Sequence, residues 1–599
     1  FEHCSALGEG EAQRCLALLE QGCSIENILM VTFTEAAAAE MRARIRDALL
    51  KRANAPDSSG QHTRFREQLA LLETARISTL HSFCLQLVRE HFYELGLDPD
   101  LFVLDEQQTR PLVRRLLDRL FEQHYAGTSD RDRAVQQLVR LHGNNSDEPI
   151  RNLVLRLHRY SQSLADPEAW LHEQIEYFSQ PEPARWIEWL TEGFNEWRAL
   201  WLPALDSCTG TWAVNLARAA LLNVPAHPSC DQIHAALAAI RTADEDKNNW
   251  PRGSKKAVRD PLKSFFDETR FLESLAKTNG APLAEDWGRV RHHMLALLEL
   301  TREFTRAFAQ AKRELGGVDF ADLEQCALRV LRNPQGGPSA VARYWQRQIE
   351  YIFVDEYQDI NAAQDKIIEL LSRGMDSKSA AAGNRFLVGD VKQSIYRFRL
   401  ADPSIFRRYE RQWDQGQGGR RLPLTDNFRS RVGILSFVNR LFGSLMRESV
   451  GGVAYEPLQP GTKNGSAPGS GDPAPCVELH LIRRDDAQNN GSTDDENGQE
   501  NSNGNGSDLS ETAELADLLV TEREARLVGL RLLELKASGF EVRDRATNQL
   551  RPVQWRDMAV LLRSPAPRIE AFAKEFSALG IPVEAGRGGF FDSIEVSDL

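Results

Sequence analysis

Two kinds of apolar pattern divide this chain. Short runs such as Ile28-Leu29-Met30-Val31, Tyr351-Ile352-Phe353-Val354 and Phe386-Leu387-Val388 are apolar at every position and then stop abruptly in polar residues. Uninterrupted runs of that length predict strands buried on both faces, as in a parallel sheet. Elsewhere apolar residues recur every three or four positions, which predicts helices over 12–21, 36–50, 362–371, 432–445, 521–538 and 568–579. The alanine-rich 36–50 has high intrinsic helix propensity as well. Between 105 and 315 only the helical pattern occurs, most clearly over 105–125, 148–163, 167–179, 183–201 and 286–315. Further on, 476–482 alternates like a strand, 558–563 reads as a buried strand, and Gly580-Ile581-Pro582-Val583 begins another. The expected fold class is therefore α/β, a parallel sheet interrupted by a large all-helical insertion.

The strand ends carry the chemistry. The run at 351–354 leads into Asp355, Glu356, Tyr357, Gln358 and Asp359, and the run at 386–388 into Gly389, Asp390, Val391, Lys392, Gln393, Ser394, Ile395, Tyr396, Arg397, Phe398 and Arg399. The carboxyl edge of a parallel sheet is where α/β proteins bind ligands. A carboxylate there can hold Mg²⁺, and a second beside it can orient an attacking water. For an isolated Asp-Glu pair, capping of the helix over 362–371 is the plainer reading. The amide, three cations and two aromatics after the second strand are more than an ordinary loop carries.

These residues resemble motifs II and III of the UvrD-like superfamily 1 DNA helicases, and Leu400-Ala401-Asp402-Pro403-Ser404-Ile405-Phe406 resembles the AddA-type helicase-nuclease branch, to which RecB is related. Thr32-Phe33-Thr34-Glu35-Ala36 resembles motif Ia, Ile77-Ser78-Thr79-Leu80-His81-Ser82 the motif after it, and Thr425-Asp426-Asn427-Phe428-Arg429-Ser430 motif IV. The resemblance implies ATP and Mg²⁺ as cofactors. Asp355 would hold the metal, Glu356 would activate water, Gln358 and Gln393 would line the nucleotide site, and Arg429 would reach the γ-phosphate. Thr32, Phe33, Thr34, Thr79, His81, Tyr396, Phe398 and Arg399 would bind DNA, with Phe33, Tyr396 and Phe398 stacked on successive bases. It further implies 3′-to-5′ helicase activity in double-strand-break repair and recombination, an AddB-like partner subunit, single-stranded and duplex DNA as ligands, and the bacterial cytosol. The implied domains are RecA-like 1A over 1–104 and 316–425, helical 1B over 105–315, and part of 2A over 426–599.

Composition adjusts this picture at several points. The chain has 599 residues, too many for one core, and a net charge of −13. Residues 485–514 hold nine acidic and no basic groups, and removing those nine charges leaves −4 for the rest. A nucleic-acid channel needs a basic stripe, not a basic protein. The basic stretch 247–263, with Trp250, is a candidate duplex contact or a solvated loop. Residues 461–475 and 485–510 are Gly, Ser, Asn and Asp rich and are expected to be flexible linkers. Eight scattered cysteines without a Cys-x-x-Cys pair argue against zinc and a disulfide framework, and no apolar run is long enough for a membrane span.

A phosphate-binding loop, G-x-x-x-x-G-K-[ST], is the missing part. Ser5-Ala6-Leu7-Gly8-Glu9-Gly10-Glu11 stands in roughly its place with two glutamates and no lysine, and the first lysine in the chain is Lys51. Together with the absent initiator methionine, absent motifs V and VI and absent nuclease, this leads to the expectation of an incomplete motor, inactive in isolation. The alternative is a catalytically silent single-strand-binding or scaffolding subunit that has lost the loop.

Overall fold

The computed structural model describes residues 9–54, 61–144, 146–208, 211–251, 253–277, 282–373, 383–427, 430–448, 453–461, 477–482, 508–544, 549–564 and 568–584. The chain falls into two compact units, Phe1–Ala474 and Pro475–Leu599.

The first unit is built on a four-stranded sheet. Its strands are β1 (Ile28–Thr32), β2 (Arg76–Thr79), β5 (Tyr351–Val354) and β6 (Arg385–Leu387), in the order β2-β1-β5-β6 and all parallel. Alternation along the strands sends side chains to two faces. Leu29, Val31, Ile352 and Val354 pack with Phe83, Leu87, Leu328 and Ile367. Ile28, Met30, Ile77 and Phe353 pack on the other face with helices α1 (Glu9–Glu20), α2 (Glu35–Asn54) and α3 (Gln61–Leu71), through residues such as Leu19, Ile45 and Phe65. Cover on both faces is why β1 and β5 read as unbroken apolar runs. The result is a mixed α/β unit, mostly helical, as the sequence pattern predicts.

Residues 105–315 form helices throughout their described part, from Glu106–Ala126 to Pro282–Glu314. This block leaves and returns at one point. Strand β3 (Phe102–Val103) lies parallel to β4 (Gly317–Val318), with Phe102 opposite Gly317. Asp105 and Asp319 each close a capping box at the exit and re-entry helices. Lys312, almost fully buried, reaches Asp319 and Asp322 at 2.6 Å each, so the charge of the last helical turn is neutralised where the chain rejoins the sheet. One core of the block is built around Phe121, Val154, Leu300 and Phe304, another around Phe194, Leu237, Phe265 and Phe266. Trp250 belongs to the second, buried, with its indole donating to the Asp244 carbonyl at 3.0 Å, while Arg259 grips the Asp244 carboxylate at 2.7 and 2.8 Å. Within the stretch 247–263, offered by sequence as a duplex contact or a solvated loop, the Trp250 ring is neither exposed nor solvated: it fills a core, with Arg259 bound beside it.

In the second unit, helices Asp508–Ala537 and Ile569–Ala578 pack through Ala525, Phe572, Phe576 and Ile581 beside a hairpin of Glu541–Arg543 and Leu550–Pro552. Residues 477–482 and 558–563 are not strands, nor is the stretch at Ile581. Leu479, Leu481 and Leu561 are more than four-fifths exposed. An apolar run becomes a strand only when a neighbour completes its ladder, and the hairpin, the one ladder among this unit's described residues, pairs with neither.

His158 joins the helix Glu148–Gln162 to Pro282–Glu314, with Nδ1 2.8 Å from the Thr305 hydroxyl and its ring edge-on to Phe304 and Phe308. Burial, and then the positive Lys312, push its pKa down to about 4. The unfolded chain takes up that proton near the ordinary value of about 6.5. His158 thus favours the native state above about pH 6.5, and this contribution is lost as pH falls toward 4. A His158→Gln variant should show a flatter decline of melting temperature between pH 6.5 and 4, followed by circular dichroism; an unchanged slope would remove His158 as the cause.

Candidate functional site

The site is assembled where β5 and β6 end. The Asp355 amide donates to the Val31 carbonyl at 3.0 Å, which fixes the first residue past β5 against β1. Glu356 then turns the chain with φ +52°, a left-handed conformation that costs a non-glycine residue about 1 kcal/mol. Such strain concentrates at functional positions. Its effect is to send Tyr357 back under the sheet, where the Tyr357 amide donates to the Val388 carbonyl at 2.8 Å.

Gln358 locks the two strand ends together. It is 1% exposed, its amide nitrogen donates to Glu356 Oε2 at 2.7 Å, and its carbonyl oxygen accepts the Asp390 N–H at 2.9 Å. The tight fit explains Gly389, since a Cβ there would lie 2.5 Å from Gln358 Oε1. Beneath the site, the Tyr357 and Tyr409 hydroxyls donate to Asp365 Oδ1 at 2.6 and 3.0 Å, and Arg408 reaches Oδ2 at 2.9 Å. The helix at 362–371 is capped by Asn361, not by the acidic pair, so Asp355 and Glu356 are spared for other work.

The electrostatics at this edge are unfavourable for acids. Burial, then the neighbouring Glu356 charge, pushes Asp355 up to about 6. Glu11, on the first turns of α1, is 2% exposed and is pushed up to about 8 by burial and then by Asp355 and Glu356. Neither Glu11 oxygen has a hydrogen-bond partner. The carboxylate side of the site suits Mg²⁺, which takes one or two carboxylates and completes its shell with water and phosphate oxygens. The stretch Ser5 to Glu11 holds two glutamates and no lysine. Ser5 to Gly8 lie outside the described residues, as does Arg429.

An aromatic file runs beside the acids. Phe33, just past β1, lies 4.6 Å from Tyr396, and Tyr396 lies 5.8 Å from Phe398, centroid to centroid. Arg399 sits over both Tyr396 and Phe398, at 5.1 and 5.6 Å. Phe398 is 76% exposed. Phe33 and Tyr396 touch, which leaves no gap between that pair for another ring.

The other residues expected to bind DNA have internal partners. Thr32 is buried and its hydroxyl donates to the Thr34 carbonyl, while Thr34 is exposed and caps α2 by accepting the Ala37 N–H. Thr79 caps helix α4 (Leu80–Glu90) and donates to Glu35 at 2.8 Å. Hydrogen bonds from Ser82 and then Thr79 hold Glu35 below the usual carboxylate range. His81 Nε2 lies 2.9 Å from Glu324, and its ring meets Phe320 edge-on at 5.0 Å. Gln393 donates to Asp390 at 3.0 Å.

Glu324 is the functional candidate that sequence reasoning passed over. Buried, it accepts from Gln364 at 2.6 Å and from Asn361 at 3.1 Å as well as meeting His81, so one carboxylate joins the His81 motif to the helix that follows the acids. A glutamate on an apolar helix face was the available signal.

Gly389→Ala should lower stability by about 1–3 kcal/mol, because the added methyl must push Gln358 off Glu356 and Asp390. Urea denaturation reads this directly, and an unchanged midpoint would show that the junction is looser than described.

The model of the UvrD/REP helicase N-terminal domain matches residues 12–414. The chain is 36% identical over 623 residues to an ATP-dependent helicase/nuclease subunit of Pelotomaculum thermopropionicum, covering 96% of this chain and 48% of that protein. It is 34% identical to proteins of the same name from Heliobacterium modesticaldum, covering 99% of this chain and 50% of that one, and Geobacillus thermodenitrificans, covering 96% and 46%. The chain thus spans about half the length of these curated relatives. With the family match running through the sheet, the helical block and both strand-end motifs, the chain belongs to the UvrD/REP helicase family.

Proposed function

We propose that this chain is motor-domain sequence of an AddA-type, ATP-dependent 3′-to-5′ DNA helicase-nuclease acting in double-strand-break repair and recombination, and that its own part is to grip single-stranded DNA beside the nucleotide edge of the sheet. The aromatic file of Phe33, Tyr396 and Phe398, overlaid by Arg399 and carried on loops that leave the same sheet edge as Asp355, Glu356 and Asp390, is the observation that carries this reading. Every base has a face to stack, so such a file holds a strand of any sequence. The sheet and its helices are 1A, the helical block is 1B, and 426–599 belong to 2A. Double-stranded DNA ahead of the motor, a bacterial cytosolic setting and an AddB-like partner complete the proposal.

In that family scheme Asp355 holds Mg²⁺, Glu356 orients water, Gln358 and Gln393 line the nucleotide site, and Arg429 contacts the γ-phosphate. ATP, where bound, supplies the free energy of hydrolysis. The part of Gln358 follows from its position: it ties Glu356 to the N–H of Asp390, six residues before Tyr396, so movement at the acids is passed toward the stacking rings. Glu11 favours a second reading, a catalytically silent single-strand-binding or scaffolding subunit, because it brings a further buried carboxyl, and no cation, toward Asp355 and Glu356.

Phe398→Ala should weaken oligodeoxythymidylate binding at low salt by about 1–3 kcal/mol while leaving the circular dichroism spectrum intact. Unchanged affinity, measured by fluorescence anisotropy, would remove Phe398 from the track.

A further inference from the structure

We propose that Glu35 stands in for a DNA phosphate: in the free chain its carboxylate holds the hydroxyls of Thr79 and Ser82, and single-stranded DNA gains them by displacing it. The proposal rests on the reading above that single-stranded DNA is gripped at this edge of the sheet, and deepens it by naming what the strand must first remove.

Glu35 lies two residues after Phe33, and in the register of β1 on β2 Thr32 stands opposite Thr79. Glu35, Thr79 and the first ring of the aromatic file therefore leave the same sheet edge together. Thr79 Oγ1 donates to Glu35 Oε1 at 2.8 Å, and Ser82 Oγ donates to the same oxygen at 2.7 Å. These bonds hold the Glu35 carboxyl below the usual carboxylate range, so it is ionised at neutral pH. Glu35 is exposed, whereas Thr79 is buried and Ser82 half-buried, so the carboxylate is the member of the cluster that can move away.

The proton count makes the contact exclusive. A hydroxyl has one proton to donate. Thr79 and Ser82 both commit theirs to Glu35 Oε1, and Thr79 Oγ1 also accepts the Ser82 N–H at 3.2 Å, so neither hydroxyl can donate to an incoming phosphate while Glu35 stays. A phosphate oxygen accepts the same bonds and carries the same sign of charge, so the two anions cannot share the pair. DNA is the phosphate source that fits, because the rings beside the cluster take bases, which a free phosphate lacks. Glu35 thereby sets a threshold. A strand that stacks on the rings and also brings a phosphate to this spot can displace it, whereas a lone anion must do so without that help.

The test is oligodeoxythymidylate binding to the 599-residue chain by fluorescence anisotropy, with Glu35→Ala introduced into the wild-type and the Ser82→Ala backgrounds. In the wild-type background Glu35→Ala should tighten binding about threefold to tenfold, the factor that corresponds to one typical net hydrogen bond. In the Ser82→Ala background the same substitution should gain clearly less, because one of the two hydroxyls it frees is gone. An equal gain in both backgrounds would reduce Glu35 to general charge repulsion and overturn the proposal, as would no gain in either. Should Glu35→Ala fail to fold, Glu35→Gln, nearly the same shape and without the charge, decides by the same comparison. Inorganic phosphate at matched ionic strength should not displace the strand from the wild-type chain; if it does, the hydroxyls answer to any phosphate and the assignment to DNA falls. Failure of the wild-type chain to bind the oligonucleotide at all would bring down the proposed function instead.

Discussion

The structure depends on a close fit at the end of two parallel strands. Gln358 can reach from Glu356 to the backbone of Asp390 because Glu356 accepts a left-handed turn and Gly389 presents no side chain. The acids, the amide and the aromatic file are then fixed by one network, anchored below by Asp365 with Tyr357, Tyr409 and Arg408. Opening any part of this fit would expose buried polar groups, which gives the arrangement its rigidity.

Around that fit the molecule places two kinds of binding chemistry a few residues apart. The buried carboxylates are raised by desolvation and mutual repulsion. The rings are open and topped by a guanidinium. Glu324 adds a second link, tying His81 to the helix behind the acids. The helical block joins the same framework through β3, β4 and the Lys312 pair, and Gln325 donates to the carbonyls of Gln162 and Leu164, so its root is bound to the sheet's own helices.

Much of this was legible in the sequence for a physical reason. Strands covered on both faces must be apolar, so β1 and β5 announced themselves, and the helices at 167–179 and 362–371 showed in the spacing of their apolar residues. The stacking file was legible as aromatics among arginines. What was not legible depended on distant neighbours. The apolar runs at 477–482 and 558–563 found no ladder, Trp250 found a core, and Thr32, Thr79 and His81 found internal partners. The turn at Glu356 and the partners of Glu324 required the fold itself.

The central claim is that single-stranded DNA is gripped at the strand-end loops of this sheet. Hydrogen exchange of the 599-residue chain, with and without oligodeoxythymidylate, tests it most directly. The account predicts added protection in peptides spanning residues 28–36 and 388–401. Protection confined to the helical block over 105–315, with those loops unchanged, would contradict it.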